Sequence, residues 1–194
     1  EASHEAPFFL YLSYYAVHSP LMTKPALLEK YTARAQAAPS ARGWQGRVHP
    51  AYAGMLESVD QSVGRILAQL DRLGLADDTV ILLTADNGGV SPASSGGLRG
   101  AKGTAWEGGV RVPLIVKWPG ATRPGAATQA LAIGMDLFPT LLEIAGLPLR
   151  PQQHLDGISL VPVLRGDPDH SARTLFWHYP HYHRTAPYGA VRDG

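Results

Sequence analysis

The sequence contains no cysteine in its 194 residues. These residues can therefore form no disulfide, no thiolate metal site and no cysteine nucleophile. A charge excess of either sign is also lacking, since 17 Lys and Arg side chains stand against 16 Asp and Glu. No apolar run approaches the roughly 20 residues that cross a bilayer. We therefore expect neither nucleic acid nor a membrane as partner, and an anionic ligand has to be bound by local groups.

The pattern of apolar residues predicts an α/β fold. Pro7–Tyr15 is aromatic and nearly uncharged, which is typical of a strand buried on both faces. Ala51–Leu73 carries apolar residues at three- and four-residue spacing, which predicts one long amphipathic helix that ends at Gly74. A branched apolar strand follows at Thr79–Thr84. This order predicts a three-layer α/β/α sandwich with a mostly parallel sheet.

Later segments continue the same alternation. The sequence predicts a strand at Val112–Trp118, a helix at Met135–Ala145, a short helix between Asp156 and Leu164, and a strand at Arg173–Tyr179. No internal repeat and no composition break divides the chain. We therefore expect residues 1–194 to belong to one domain.

A carboxylate and a carboxamide lie together where a predicted strand ends. Asp86 and Asn87 directly follow the strand at Thr79–Thr84, and Gly88 and Gly89 come next. Their oxygens are ligands that Ca²⁺ and Mg²⁺ prefer, and glycine allows both side chains to turn inward. An ordinary Asx turn at the strand end explains the same residues.

The glycine-rich loop that follows carries cations. Lys102 lies in the segment LRGAKGT, where a flexible ammonium can reach an anionic oxygen. A solvated surface loop has the same composition. Glu107 and Arg111 are spaced to pair with each other, and we assign that pair a structural role.

Histidines supply further candidates. His18 precedes Pro20 after the first predicted strand and could donate a proton or bind a substrate oxygen. His178, His181 and His183 alternate with tyrosines on a proline-broken loop, without the helical spacing of a zinc site. We therefore interpret them as the rim of a substrate cleft or as an aromatic surface, with His181 as a substrate-binding residue.

Taken together, these segments resemble the type I sulfatase (arylsulfatase-like) family of the alkaline phosphatase superfamily. PFFLYLSYYAVHSPL resembles the family strand that ends in His-x-Pro. YAGMLESVDQSVGRILAQLDRLGLADDTVILLTADNGG resembles the family's helix, strand and metal unit. LRGAKGTAWEGGVRVPLIVKWPG resembles its lysine loop, and later segments also match in order.

The resemblance implies a set of roles. It makes Asp86 and Asn87 ligands of calcium (Mg²⁺ being possible), and it makes Lys102 and His18 sulfate-binding and catalytic residues. It further implies a formylglycine nucleophile made from a C/S-x-P-x-R motif. Neither Ser19-Pro20 nor Ser91-Pro92 fits that motif. We therefore expect this chain to be the middle and C-terminal part of a catalytic domain, inactive by itself.

The function implied by the resemblance is hydrolysis of sulfate esters. A sulfated carbohydrate is the expected substrate, because Trp177, Tyr179 and Tyr182 with the three nearby histidines could stack on and hydrogen-bond a sugar ring. An aryl sulfate would use the same aromatic surface. A phosphatase, phosphodiesterase or phosphonate hydrolase of the superfamily would use similar metal and anion chemistry. A noncatalytic binder of anions or carbohydrates is the third alternative. The resemblance also implies a periplasmic, secreted or lysosomal location.

Overall fold

The computed structural model describes residues 6–37, 49–167, 173–182 and 186–194, which form two compact units divided between Leu73 and Gly74. The first unit contains helices α1 (Pro25–Ala37) and α2 (Pro50–Arg72). The second contains strands β1 (Ile81–Thr84), β2 (Leu114–Lys117), β3 (Thr174–Tyr179) and β4 (Tyr188–Asp193). Its helices are α3 (Glu107–Val110), a 3₁₀ turn (Gly134–Asp136), α4 (Leu137–Ile144) and α5 (Val161–Leu164).

Helix α2 confirms the long amphipathic helix predicted from the sequence. It begins where the ring of His49 accepts a hydrogen bond from the Tyr52 amide (3.3 Å), with Pro50 in its first turn. It ends at Arg72, and Gly74 follows with φ at 69°. Because this backbone conformation is costly for any residue with a Cβ, glycine is suited to the position just beyond the helix.

Helices α1 and α2 pack against each other closely. A Cβ on Gly54 would lie 2.5 Å from Oγ1 of Thr23, which precedes α1, so a larger residue at that point of α2 would displace the threonine side chain. Lys30 donates a hydrogen bond of 2.6 Å to Glu57 across the helix pair. The Lys30 hydrogen bond and, after it, one from Tyr31 hold the pKa of Glu57 below its ordinary value. The two helices are therefore joined by an exposed ion pair, and the residue that lies two before α1 sits close against α2.

The segment predicted as the first strand is not a strand among the described residues. Pro7–Tyr15 forms no ladder there, and most of its large side chains are exposed, with Phe9 at 74% and Tyr11 at 80%. The aromatic composition was sufficient to predict extended backbone, but a strand also requires a neighbouring strand to pair with. The prediction was therefore wrong for this part of the chain.

Strand pairing also differs from the mostly parallel sheet that the sequence predicts. Both pairings among the described residues are antiparallel, β1 with β2 and β3 with β4. Ile81 lies opposite Lys117 and Thr84 opposite Leu114, while the glycine-rich loop turns the chain back between the two strands. The described residues thus confirm an α/β composition with two short sheets.

The buried centre of the second unit is built around Asp136, which is fully buried. Its carboxylate accepts hydrogen bonds from the Ile133 amide (2.7 Å) and the Ile158 amide (3.0 Å). Arg173 adds two more, at 3.0 Å and 2.6 Å. These bonds join the start of α4, the segment before α5 and the start of β3. The buried charge is thereby paired and its oxygens are satisfied.

The remaining predicted elements agree with the structure except at one boundary. The helix predicted at Met135–Ala145 is present as the 3₁₀ turn followed by α4, and the strand at Arg173–Tyr179 as β3. The helix predicted from Asp156 begins only at Val161, because the amides of Ile158 and Leu160 donate to the side chains of Asp136 and Thr140 instead. None of the helices in the described ranges is both long and apolar enough to cross a bilayer.

Candidate functional site

Asp86 and Asn87 lie immediately beyond the end of β1, as the sequence predicts. Asn87 Nδ2 donates a hydrogen bond of 2.9 Å to Asp86 Oδ1, so the two side chains are held side by side. Asp86 is exposed and Asn87 is half-buried. At the strand end, Thr84 Oγ1 donates to the carbonyl of Pro113 (3.0 Å) and ties β1 to the start of β2.

The loop after β1 lies directly against the segment around α3, backbone to backbone. Gly88 N donates to Gly109 O at 2.9 Å. A Cβ on Gly88 would lie only 1.9 Å from Gly108 O, and one on Gly109 would lie 2.2 Å from Thr104 O. No side chain fits at these two positions, because the space is already occupied by main-chain atoms. Glycine is therefore required for this close approach.

The main chain of Lys102 also bonds the loop that follows β1. Its amide donates to Gly89 O at 3.0 Å, which joins the lysine loop, defined here as residues 98–111, to the residues that follow Asp86 and Asn87. The Lys102 side chain is half-buried, and among the described residues it forms no ion pair. The structure thus joins the segments of three predicted site residues, Asp86, Asn87 and Lys102, through main-chain hydrogen bonds.

Two ion pairs of the Glu107 side chain also hold the lysine loop in place. Its carboxylate accepts from Arg111 at 3.3 Å, which confirms the predicted pair, and from Arg192 at 2.7 Å. The second contact anchors β4 against the loop. Sequence reasoning missed it because Arg192 is 85 residues away, and no local spacing signals such a partner.

The donors present suit a hard divalent cation. Asp86 offers a carboxylate and Asn87 a carboxamide oxygen, the two kinds of side-chain oxygen that bind Ca²⁺. Within the described ranges, no group of three or more His, Asp or Glu side chains could hold a metal. Because Ca²⁺ takes six to eight oxygen ligands, these two side chains supply only part of such a shell.

His18 lies in the first unit, whereas the residues above lie in the second. Its Nδ1 lies 3.0 Å from Ser19 O, and its ring centroid lies 5.3 Å from that of Tyr15. Tyr15 in turn donates to the same Ser19 carbonyl at 2.6 Å. The imidazole is exposed and held by one main-chain oxygen, and its sulfate-binding role stays a prediction.

His181 lies beside a pair of tyrosines at the end of the β3–β4 sheet. Tyr179 and Tyr188 are opposite each other in the ladder and stack with centroids 5.2 Å apart. The His181 ring meets Tyr179 edge-on at 5.1 Å. Burial, followed by the neighbouring Tyr179 hydroxyl, raises the pKa of Tyr188. His178 is exposed on β3, and His183 lies outside the described residues.

Known proteins similar to this chain include curated sulfatases. Steryl-sulfatase of Mus musculus is 38% identical over 184 residues, which cover 89% of this chain and 27% of that protein. A sulfatase of Formosa agariphila is 37% identical over 192 residues, which cover 92% of this chain and 34% of that protein. The chain therefore spans roughly a third or less of the length of these relatives.

Solved structures show the same relationship in three dimensions. Ps i-CgsB in complex with k-i-k-neocarrahexaose matches 97% of this chain and 40% of its own, with a TM-score of 0.80 at 30% identity. BT4656 in complex with its substrate D-glucosamine-2-N,6-O-disulfate matches 85% and 34%, with a TM-score of 0.65 at 25% identity.

A phosphonate hydrolase is also similar. The phosphonate monoester hydrolase SpPMH from Silicibacter pomeroyi matches 66% of this chain and 24% of its own, with a TM-score of 0.55 at 31% identity. The profile of the family described as Sulfatase matches residues 1–147. With that match over most of the chain, and with relatives that cover nine-tenths of it, the chain belongs to the sulfatase family.

Proposed function

We propose that residues 1–194 are part of a single sulfatase catalytic domain that hydrolyses sulfate esters. One observation carries the proposal: the Lys102 amide bonds Gly89 O, next to Asp86 and Asn87. A transferring sulfuryl group is anionic and needs positive charge on more than one side. A metal held after β1 and an ammonium from the adjoining loop meet that need. We further propose that these elements belong to a three-layer α/β/α sandwich of the complete domain.

Each predicted site residue has a defined role in this proposal. Asp86 and Asn87 hold calcium, which neutralises charge on the transferring group when it is bound. The Lys102 side chain binds a sulfate oxygen, and His18 contacts the sulfate or donates a proton to the leaving oxygen. A formylglycine from a C/S-x-P-x-R motif elsewhere in the domain supplies the nucleophile for attack at sulfur.

The electrostatics of the lysine loop support this role for Lys102. Glu107, the carboxylate of that loop, is engaged by Arg111 and Arg192. Lys102 therefore keeps its positive charge available for a ligand. A half-buried ammonium also interacts more strongly with an anion than a fully solvated one, because less water screens the pair.

A sulfated carbohydrate is the proposed substrate. The rings of Tyr179, His181 and Tyr188 offer flat surfaces and polar tips that suit a sugar. Two structurally similar proteins were solved with sugars bound, one with k-i-k-neocarrahexaose and one with D-glucosamine-2-N,6-O-disulfate, which supports the choice. An aryl sulfate would contact the same rings. A periplasmic, secreted or lysosomal location follows from family membership and is part of the proposal.

Hydrolysis of phosphonate or phosphate esters is the second candidate. It is favoured by the similarity to a phosphonate monoester hydrolase at 31% identity. Phosphoryl and sulfuryl groups are both tetrahedral anions, so a metal and a lysine stabilise either one. The two candidates differ in the ester that is cleaved and not in the residues described above.

The test uses the protein extended over the rest of the catalytic domain and expressed with a formylglycine-generating enzyme. Release of sulfate is measured from sulfated sugars and aryl sulfates, with and without calcium, and phosphate and phosphonate esters are assayed in parallel. Asp86→Ala and Lys102→Ala should each lower kcat/KM by about 100-fold or more. Asp77→Ala and Lys24→Ala, which remove exposed charges outside the site, serve as controls. Cleavage of phosphonate esters alone would select the second candidate.

A further inference from the structure

The lysine loop carries more positive charge than its own residues neutralise. Arg99, Lys102 and Arg111 are its cations, and Glu107 is its carboxylate. Glu107 pairs with Arg111 through Oε2 and with Arg192 through Oε1. Within the described part of the chain, no carboxylate forms an ion pair with Arg99 or with Lys102. Two cations three residues apart are thus left for external anions.

Arg99 is held in one position although it is exposed. Its guanidinium carbon lies 3.5 Å from the ring centroid of Trp106, which is a close cation–π stack. Its carbonyl accepts from Gly108 N at 2.7 Å. Gly100 has φ at 85°, and a Cβ there would lie 2.5 Å from Trp106 Cβ. The backbone on both sides of the stack is therefore constrained, which lowers the entropy lost when Arg99 binds a ligand.

The stack also determines which part of Arg99 remains available. A guanidinium that lies flat on an indole uses its face, while its N–H groups point outward in the plane. That planar edge matches two oxygens of a sulfate or a carboxylate. Half of the Trp106 surface is exposed, so a ligand can reach the pair from solvent.

We propose that Arg99 is a specificity-determining residue that binds a second oxyanion of the substrate, a sulfate or a carboxylate carried by the same sulfated sugar. The proposal rests on the proposed function, in which Lys102 binds the sulfate of the scissile ester. It makes doubly anionic sugars the preferred substrate class. A singly sulfated sugar still binds, because an unused Arg99 stays solvated without cost.

The test measures binding by isothermal titration calorimetry in calcium-containing buffer. It uses the protein extended over the rest of the catalytic domain and expressed without a formylglycine-generating enzyme, so that the probes are bound and not cleaved. The probes are N-acetyl-D-glucosamine 6-sulfate, D-glucosamine-2-N,6-O-disulfate, and a monosulfated disaccharide that contains glucuronate. Wild type should bind the disulfate about tenfold more tightly than the monosulfate, a difference of about 1.4 kcal/mol. Arg99→Gln should reduce that ratio to about one, and Arg99→Lys should keep part of it. The glucuronate probe shows whether a carboxylate can replace the second sulfate.

Arg165→Gln is the matched control, because Arg165 is also exposed over a tryptophan, with its guanidinium carbon 5.2 Å from the Trp118 ring. It should leave the ratio unchanged, and circular dichroism should show every variant folded. Lys102→Gln should weaken both probes equally. If it does so while Arg99→Gln leaves the ratio intact, the Arg99 proposal is overturned and the proposed function stands. If Lys102→Gln changes neither affinity, or neither probe binds, both are overturned.

Discussion

Replacement of Gly88 by alanine tests whether backbone contact holds the candidate site together. The new Cβ would lie 1.9 Å from Gly108 O and 2.9 Å from Gly109 Cα. Ordinary contact begins at about 3.4 Å, so the two main chains would have to separate by about 1.5 Å. No flexible side chain can move aside, because the atoms in the way belong to the backbone.

The expected cost is the sum of two effects. Separation breaks the Gly88 N to Gly109 O hydrogen bond, which contributes about 1 kcal/mol. Strain from overpacking adds about 1–3 kcal/mol. We therefore expect Gly88→Ala to lower the free energy of unfolding by about 2–4 kcal/mol. Sulfate binding by Lys102 should weaken as well, since its amide is bonded to the neighbouring Gly89.

Urea unfolding followed by circular dichroism measures the first effect, and calorimetric titration with a sulfated sugar measures the second. Gly134→Ala is the matched control, because a Cβ there meets nothing within 4 Å. It should stay within about 0.5 kcal/mol of wild type. A Gly88→Ala protein as stable as this control, with unchanged affinity, would refute the reasoning, since the backbones would then have room to separate freely.

Two other predictions concern ion pairs within each unit. Asp136→Asn should lower the free energy of unfolding in urea by about 3–5 kcal/mol, because it leaves the Arg173 guanidinium buried beside a neutral group. The control is Asp156→Asn, which changes an exposed carboxylate. If Asp136→Asn lowers the free energy of unfolding no more than this control does, the pairing is contradicted. Because the pKa of Glu57 is lowered in the folded state, its contribution to stability is complete above the ordinary carboxyl pKa and is lost as pH falls through the lowered one. NMR titration of the Glu57 carboxyl should show that lowered midpoint, and Lys30→Met should raise it; equal midpoints would contradict the assignment.

Local patterns in the sequence predicted the local features of the structure. The spacing of apolar residues predicted α2, and the four-residue spacing of Glu107 and Arg111 predicted their ion pair. The TADNGG segment predicted that Asp86 and Asn87 follow the end of a strand, and both lie just after β1. Their role as metal ligands stays a prediction. In each case the interacting residues are close along the chain, so periodicity and spacing contain the relevant information.

Contacts between distant segments could not be predicted in the same way. The sequence places Asp136 in the first turn of a predicted helix. Its carboxylate accepts hydrogen bonds from Ile158 and Arg173, which are 22 and 37 residues away along the chain. Whether β1 and β2 pair in parallel or antiparallel depends on the path of the long loop between them, which the composition of the two strands does not determine. Pro7–Tyr15 has the composition of a strand, but pairing depends on what lies beside it.

The contact of Gly88 with Gly108 and Gly109 gives the backbone, and not the exposed side chains, the task of holding two segments of the candidate site together. At Gly88, main-chain atoms alone set the distance between the segment that carries Asp86 and Asn87 and the lysine loop. The Trp106 side chain, half of which is exposed, takes no part in that contact at Gly88. Under the proposed function, exposed side chains of the lysine loop can change which substrate binds while the backbone contact at Gly88 is kept, which makes this loop a suitable place to begin re-engineering substrate choice.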